Sequence, residues 1–144
     1  MAVKPIPEGY HTVTPYLMAE NSEQLLDFLK RAFGATETFR HNDPDGHIRH
    51  CEFRIGNSPL MLSEAKAGYP ATAAMYHLYV PNVDEVYQQA IRAGATSLRE
   101  PTDEFYGDRS AGVVDLCGNQ WWIATHIEDV SPEEISRRQT ALES

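Results

Sequence analysis

The amino-acid sequence predicts an α+β fold of two tandem βαβββ modules, and an internal repeat is the main evidence. One copy spans Asn21 to Thr36 and the other spans Asn82 to Thr96; both begin with Asn and end with Gly-Ala-Thr. A second similarity follows at the same spacing, because Gly-Asn at positions 56 and 118 precedes an apolar triplet in each copy. Two similar segments repeated at a spacing of about 60 residues indicate a duplicated unit.

The first module, about residues 10–64, is predicted to hold one helix and four strands. Aromatic and β-branched residues predict a strand over residues 12–19. Asn21 is the expected N-cap of the helix, Gln24 completes a capping box, and Gly34 ends the helix. The apolar stripe of this helix consists of Leu25, Phe28, Leu29, Ala32 and Phe33. Three strands follow, at residues 35–41, 47–55 and 60–63, separated by good turn sequences.

The second module, about residues 75–126, follows a linker at 65–74 and repeats this order. Its first strand spans residues 75–80, and Asn82 with Glu85 repeats the capping box. The helical stripe is Val86, Ala90 and Ala93, before a stop at Gly94. The remaining strands are predicted at residues 96–99, 110–115 and 120–126.

A polar C-terminal helix is predicted over residues 131–142. Ser131 is its N-cap, Pro132 occupies the first helical position, and Glu134 completes a capping box. Because the segment is mostly polar, we expect this helix on the surface or against a partner chain. The whole chain, residues 1–144, is expected to form a single domain.

Charge and composition narrow the classes of partner. Twelve Lys and Arg against 21 Asp and Glu give a net charge of −9, which disfavours nucleic acid and anionic membranes. No apolar run approaches the length of about 18 residues that a membrane helix needs. With two cysteines and no signal-peptide pattern, the expected location is the reducing cytoplasm.

Six short motifs carry a resemblance to a known family. They are TPYL from Thr14, FLKRAFG from Phe28, HCEFRIG from His50, FYGDR from Phe105, DLCGN from Asp115 and WIATH from Trp122. On these motifs and the repeat, the chain resembles the vicinal oxygen chelate superfamily of glyoxalases, bleomycin-resistance proteins and extradiol dioxygenases, and its PhnB-like branch in particular. The resemblance implies curved mixed sheets around a cavity, and a homodimer. It does not specify a reaction, because one fold hosts many chemistries.

The resemblance also implies where a divalent metal would bind. The four family positions fall here at Thr14, Met61, Met75 and Trp122. None of these side chains is a usual ligand, since divalent ions prefer carboxylate oxygen or imidazole nitrogen. We therefore expect the standard metal site to be absent and no cofactor to be required, while a divalent metal held by other ligands stays open.

In the fold that the resemblance implies, the sheet face opposite the helices is the cavity wall. Strand alternation puts His50, Glu52 and Arg54 on that face and their apolar neighbours on the helix side. The predicted ligand-binding residues are Tyr16, Met61, His77, Tyr79, Tyr106, Arg109 and Trp122. Candidates for acid–base catalysis or improvised metal binding are His50, Glu52 and His77.

The same residues have plainer explanations, which stay open. His50 and Glu52 fit a solvated polar sheet face, and His77 fits a hydrogen-bonded wall histidine. Arg109 fits an ion pair with a nearby acid such as Asp108 or Asp115. Trp121 and Trp122 are adjacent, so one of the two side chains belongs to the core.

Three functions are compatible with these observations. The first is a small-molecule-binding protein without the standard metal site, its acidic charge favouring cationic ligands. The second is a metal-dependent lyase, isomerase or dioxygenase-like enzyme that uses non-standard ligands. The third is a self-association module with a vestigial cavity.

Overall fold

The computed structural model describes residues 2–144 and divides the chain into two compact units, with the boundary between Ala73 and Ala74. The first unit contains β1 (Tyr16–Ala19), α1 (Ser22–Phe33), β2 (Thr36–Asn42), β3 (Ile48–Ile55) and β4 (Ser58–Glu64). The second unit contains β5 (Met75–Tyr79), α2 (Val83–Arg92), β6 (Thr96–Asp103), β7 (Asp108–Val114), β8 (Gln120–His126) and α3 (Pro132–Glu143). This order confirms the α+β class and the tandem βαβββ modules.

The two sheets share one topology. Strand order is β1-β4-β3-β2 in the first unit and β5-β8-β7-β6 in the second. β1 runs parallel to β4, and β5 runs parallel to β8. The other strand pairs are antiparallel. Equivalent register pairs are Tyr16 with Met61 and His77 with Trp122, as expected of a duplicated unit.

The largest differences from the predicted strand boundaries are at the start of β1 and at the end of β6, and each involves a proline. β1 begins at Tyr16, directly after Pro15, which has no N–H to donate to a ladder. β6 continues to Asp103 through Pro101, because β6 is an edge strand and its pairing is interrupted between Arg99 and Thr102.

The core of the first unit lies between α1 and one face of its sheet. Strand residues Leu17, Cys51, Phe53 and Leu62 are at most 2% exposed. They pack against the buried stripe of α1, which consists of Leu25, Leu26, Phe28, Leu29 and Ala32. The stripe therefore includes Leu26, which was not predicted, whereas Phe33, which was predicted, is only partly buried. The alternation predicted for β3 is confirmed, because His50, Glu52 and Arg54 lie on the other face.

In the second unit the core stripe of α2 differs from the prediction. Val83, Tyr87 and Ala90 are buried, whereas Val86 and Ala93 lie at the margin of the core. Together the buried residues follow the helical period, starting one turn earlier than predicted. The Tyr87 hydroxyl remains satisfied because it donates to Ser97 Oγ at 2.7 Å.

The three helices begin with different caps. The Asn82 side chain accepts from the Glu85 N–H at 3.2 Å, and the Ser131 Oγ accepts from the Glu134 N–H at 3.1 Å, as predicted. The capping box at Asn21 was wrong, because Asn21 is left-handed at φ 62° and makes no side-chain cap. The C-terminal helix α3 buries no residue, which agrees with the expected surface position.

The first helix is capped instead by a residue distant in sequence. The Glu64 carboxylate at the end of β4 accepts from the Asn21 and Ser22 N–H groups at 3.1 and 3.0 Å and from Ser22 Oγ at 2.6 Å. A carboxylate here satisfies unpaired amides and opposes the positive end of the helix dipole. Burial raises the pKa of Glu64, but the bonds from Ser22 and Asn21 outweigh burial and leave that pKa below its ordinary value.

Within residues 2–144, no helix is long and apolar enough to cross a membrane.

Substitution Glu64→Gln is expected to destabilise the protein by about 1 kcal/mol, the usual cost of a lost N-terminal cap. Because the pKa of Glu64 is lowered by folding, its contribution exists above the unfolded-state pKa and disappears as pH falls through the folded-state pKa. Urea unfolding at pH 7 and at pH 3 measures this. The difference between Glu64→Gln and the parent should be present at pH 7 and smaller at pH 3. The control Glu100→Gln, an exposed strand residue, should match the parent at both pH values.

A second prediction concerns the contact between Trp122 and Gly112, which pair across β7 and β8. A Cβ at Gly112 would lie 2.6 Å from the Trp122 ring, so Gly112→Ala must displace the indole. We expect a loss of about 1–3 kcal/mol in the free energy of unfolding, typical of overpacking, with a changed tryptophan emission. In a Trp122→Ala background the same substitution should cost much less. An equal cost in both backgrounds would show that the indole is not the obstacle.

Candidate functional site

Polar and aromatic side chains form a row across the first sheet, on the face opposite α1. This row consists of Tyr16, Met61, Glu52 and Phe39 from β1, β4, β3 and β2. Two further register pairs lie next to this row, Met18 with Ser63 and His50 with His41. The sequence-predicted residues Tyr16, Met61, His50 and Glu52 are therefore neighbours on one surface.

Four of the side chains on or beside this face form a hydrogen-bonded chain, the Tyr16 relay, made of Tyr16, His50, Glu52 and Tyr10. The Tyr16 hydroxyl lies 2.9 Å from His50 Nδ1, and His50 Nε2 lies 2.8 Å from Glu52 Oε2. The other carboxylate oxygen, Oε1, accepts from the Tyr10 hydroxyl. An ionised Glu52 requires a proton on Nε2 of a neutral His50, which leaves Nδ1 to accept from Tyr16.

The electrostatics of the relay keep the charge on Glu52. Hydrogen bonds from Tyr10 and His50 lower the pKa of Glu52. Burial and the bond to Glu52 raise the pKa of Tyr10 to about 12. Burial also raises the pKa of Tyr16. The relay is thus a carboxylate, an imidazole and two neutral phenols, the group types used for proton transfer.

A cavity of about 480 Å³ lies beside the relay. Its lining residues are Tyr16, Met18, Arg49, Ser63, Lys66 and Tyr69. The predicted linker forms part of the wall, because the Thr72 N–H donates to the Met18 carbonyl at 3.0 Å. A tight turn with two backbone bonds between Lys66 and Tyr69, passing through Gly68 at φ 83°, brings both side chains to the cavity.

Two cations contribute to the cavity lining. Arg49 Nε lies 2.5 Å from Asp43 Oδ1, so its charge is partly neutralised. The Lys66 ammonium lies 5.5 Å from the centre of the Tyr69 ring, and no ion pair joins Lys66 to a carboxylate within residues 2–144. The cavity therefore combines an aromatic surface with local positive charge.

The second unit has a separate polar network, the Asp108 cluster, made of Tyr79, Asp108, His126 and Asp129. The Tyr79 hydroxyl donates to Asp108 Oδ2 at 2.7 Å, and His126 Nδ1 lies 2.8 Å from Asp108 Oδ1. His126 Nε2 lies 2.7 Å from Asp129 Oδ1. Asp108 and then Asp129 raise the pKa of His126, and the bond to Asp108 is the main cause of the raised pKa of Tyr79.

The remaining predicted wall residues of the second unit surround this cluster. The His77 ring lies edge-on to Tyr79 with centroids 4.9 Å apart, and Tyr106 is close enough to help raise the Tyr79 pKa. Trp122 lies over Gly112, and its Nε1 donates to Gln120 at 3.1 Å. Trp121 is the core member of the pair, fully buried and bonded to Asp115 at 2.8 Å.

Arg109 has a different environment from the one predicted. It lies on the α2 side of β7, where it contacts Asp84 at 2.8 and 3.0 Å and Asp103 at 3.0 Å. The expected ion pair therefore forms, but its partners are not Asp108 or Asp115, because Asp108 projects to the opposite face of the strand. The ligand-binding role of Arg109 stays a prediction.

The residues at the metal positions implied by the resemblance do not fit a divalent ion. Register pairs Met61 with Tyr16 rather than with Thr14, and Trp122 with His77 rather than with Met75. Of these four paired side chains, only the His77 imidazole is a usual ligand of a divalent ion. The Tyr16 phenol, the Met61 thioether and the Trp122 indole are not. Within residues 2–144, no group of three or more His, Cys, Asp or Glu side chains is placed to hold a metal.

Several residues of the site escaped prediction from the sequence. Tyr10 precedes the first strand, and Lys66 and Tyr69 lie in the linker, where no periodicity indicates which way a side chain points. Asp108 was considered only as a partner for Arg109. One signal was available, because Tyr69 lies between glycine and proline, and these two residue types mark a turn.

Comparison with known proteins identifies the family. The profile of the Glyoxalase/Bleomycin resistance protein/Dioxygenase superfamily matches residues 10–123. The uncharacterized protein Mb0911c of Mycobacterium bovis is 32% identical over 143 residues, covering 92% of each chain. The uncharacterized protein Rv0887c of Mycobacterium tuberculosis has the same identity, covering 92% of this chain and 82% of its own.

Solved structures show the same fold at lower identity. TioX from Micromonospora sp. ML1 is 24% identical with a TM-score of 0.65, covering 80% of this chain and 99% of its own. A PhnB protein from Bacillus cereus has the same coverage and TM-score at 15% identity. With the profile covering most of the chain, the protein belongs to the Glyoxalase/Bleomycin resistance protein/Dioxygenase superfamily.

Proposed function

We propose that this protein binds a small aromatic molecule in the cavity of its first unit. The observation that carries the proposal is a cavity of about 480 Å³ with Tyr16, Met18 and Tyr69 in its wall. This volume lies within the range of small-molecule sites, roughly 300–1,000 Å³. Apolar walls with a few polar groups are the usual composition of such sites.

The lining residues favour a planar ring. Tyrosine rings stack against aromatic ligands, and a thioether makes favourable contacts with ring edges. Tyr69 is 61% exposed, so its ring has surface available for a ligand. The cations Arg49 and Lys66 lie among these groups, so the local charge favours an electron-rich or anionic ligand over the cationic one that the net charge suggested.

Family membership is compatible with binding alone. The family name joins resistance proteins with two groups of enzymes, so membership does not require a reaction. The poor fit of the implied metal positions supports the binding proposal over a metal-dependent one.

An enzyme is the second candidate, and one observation favours it. Tyr16, His50 and Glu52 are hydrogen-bonded in an order that suits acid–base chemistry, beside the same cavity. In this version of the proposal His50 exchanges protons with a bound substrate through the Tyr16 hydroxyl, while Glu52 orients the imidazole. His77, the third predicted catalytic candidate, contacts Tyr79 in the second unit.

A homodimer in the cytoplasm is also part of the proposal, supported by the resemblance and by the charge and cysteine content of the chain. Light scattering at micromolar concentration should give twice the mass of the 16.2 kDa chain. A monomeric mass would contradict the dimer.

The binding proposal is tested with 2-naphthoate, a planar aromatic anion. Isothermal titration calorimetry should give one site per chain, and Tyr69→Ala should weaken binding about tenfold because a stacking surface is lost. The control is Val13→Ala, an exposed apolar residue of the first unit that lies outside the cavity lining. Loss of binding in Val13→Ala but not in Tyr69→Ala would contradict the proposed cavity.

A further inference from the structure

The Tyr16 relay connects the cavity with a base. Tyr16 lines the cavity, and its hydroxyl contacts His50 Nδ1 at 2.9 Å. Behind His50, Glu52 Oε2 lies 2.8 Å from His50 Nε2, and the Tyr10 hydroxyl donates a hydrogen bond to Glu52 Oε1. A proton that reaches the Tyr16 oxygen therefore has a hydrogen-bonded path to an imidazole whose positive charge a carboxylate would neutralise.

We propose that the ligand is an aromatic compound with an acidic hydroxyl, a phenol or an enol, and that it binds as the oxyanion with its proton transferred through Tyr16 to His50. This inference rests on the proposed function, because it uses the same cavity. It adds the chemical class of the ligand and a role for the relay.

The transfer balances without another reactant. The ligand hydroxyl gives its proton to the Tyr16 oxygen as the Tyr16 proton moves to His50 Nδ1. Tyr16 ends neutral, His50 becomes an imidazolium with protons on both nitrogens, and Glu52 remains a carboxylate. The ligand keeps the electron pair of its broken O–H bond, and the Tyr16 hydroxyl now donates to that oxyanion.

The arrangement suits a hydroxyl better than a carboxylic acid. A carboxylic acid is already ionised at neutral pH, so it needs cations and donors but no base. A phenol or enol still holds its proton, and a neutral imidazole behind the Tyr16 hydroxyl accepts it. Lys66, which has no carboxylate partner within residues 2–144, and Arg49 then lie in the same cavity as the new negative charge.

The groups around His50 are compatible with this role. Tyr16 contacts it from β1, His41 of β2 pairs with it in the register, and Glu52 contacts it from the same strand. Ser63 of β4 lines the same cavity as Tyr16. Glu52 is the carboxylate of this set, with Tyr10 on its far oxygen. Arg54 lies on the same strand face and donates to the Gly9 carbonyl. Glu52 Oε2, 2.8 Å from Nε2, is therefore the carboxylate oxygen of this set that is placed to pair with an imidazolium at His50.

The ionisation of the neighbours supports the same direction of transfer. Burial raises the pKa of Tyr16, so this phenol returns to its neutral form rather than keeping the charge. Bonds from Tyr10 and His50 lower the pKa of Glu52, so the carboxylate stays ionised where the imidazolium forms.

The experiment compares 4-nitrophenol, whose phenolate absorbs visible light, with 4-nitroanisole, which has the same ring and no acidic proton. Absorbance titration of protein-bound 4-nitrophenol against pH should give an ionisation constant about tenfold higher than in buffer, because a charge-assisted hydrogen bond favours the phenolate. His50→Gln should remove this shift while 4-nitroanisole still binds. Glu52→Gln should also reduce the shift, and the control His47→Gln, on the exposed turn between β2 and β3, should retain it.

Each outcome decides one of the two proposals. If 4-nitroanisole binds but bound 4-nitrophenol ionises as in buffer, the inference is overturned and the proposed binding function stands. If neither compound binds, both proposals fail for this ligand class. A full shift in folded His50→Gln overturns the role of the relay, and circular dichroism together with 4-nitroanisole binding shows that this variant is folded. If His41→Gln removes the ionisation shift of bound 4-nitrophenol as fully as His50→Gln does, the result does not assign the proton to His50. That outcome also overturns the assignment.

Discussion

The register of β1 on β4 and of β4 on β3 is the constraint on which the first unit depends. It pairs Leu17 with Leu62 and Leu62 with Cys51, so one face of the sheet is apolar and buries α1. The same register puts Tyr16, Met61 and Glu52 in one row on the other face. Because side chains alternate with a period of two, a slip of one residue would exchange the core face and the polar face. Core and site are therefore fixed by one set of backbone hydrogen bonds.

Glu64 links that register to the orientation of the helix. It lies at the end of β4, paired with Ala19, and its carboxylate holds the N–H groups of Asn21 and Ser22. The second unit uses a local cap for the equivalent helix, with Asn82 accepting from Glu85. Two copies of one unit thus satisfy the same unpaired amides in different ways, and Asn21 is free to adopt the left-handed conformation that Asn tolerates.

What the sequence predicted well depends on periodicity, and what it missed depends on contacts between distant segments. The repeat, the strand alternation and the caps at Asn82 and Ser131 are local patterns, and the structure confirms them. The polar face of β3 followed from alternation, which brought His50 and Glu52 into the prediction. The bond from Tyr10 to Glu52 spans 42 residues, and the contacts of Arg109 with Asp84 span 25. No periodic signal encodes such pairs.

The charge of the cavity lining differs from that of the chain as a whole, so net charge alone does not predict the charge of the proposed ligand. The chain carries −9, yet among residues 2–144 the cavity lining includes Arg49 and Lys66 and no Asp or Glu side chain. Glu52 lies behind His50, where hydrogen bonds from Tyr10 and His50 stabilise its negative charge, and it is not among the residues that line the cavity. Screening by salt confines the influence of distant surface charges to about 10 Å, so the lining groups dominate at the site. An acidic protein can therefore select an anion, provided that its carboxylates are paired elsewhere.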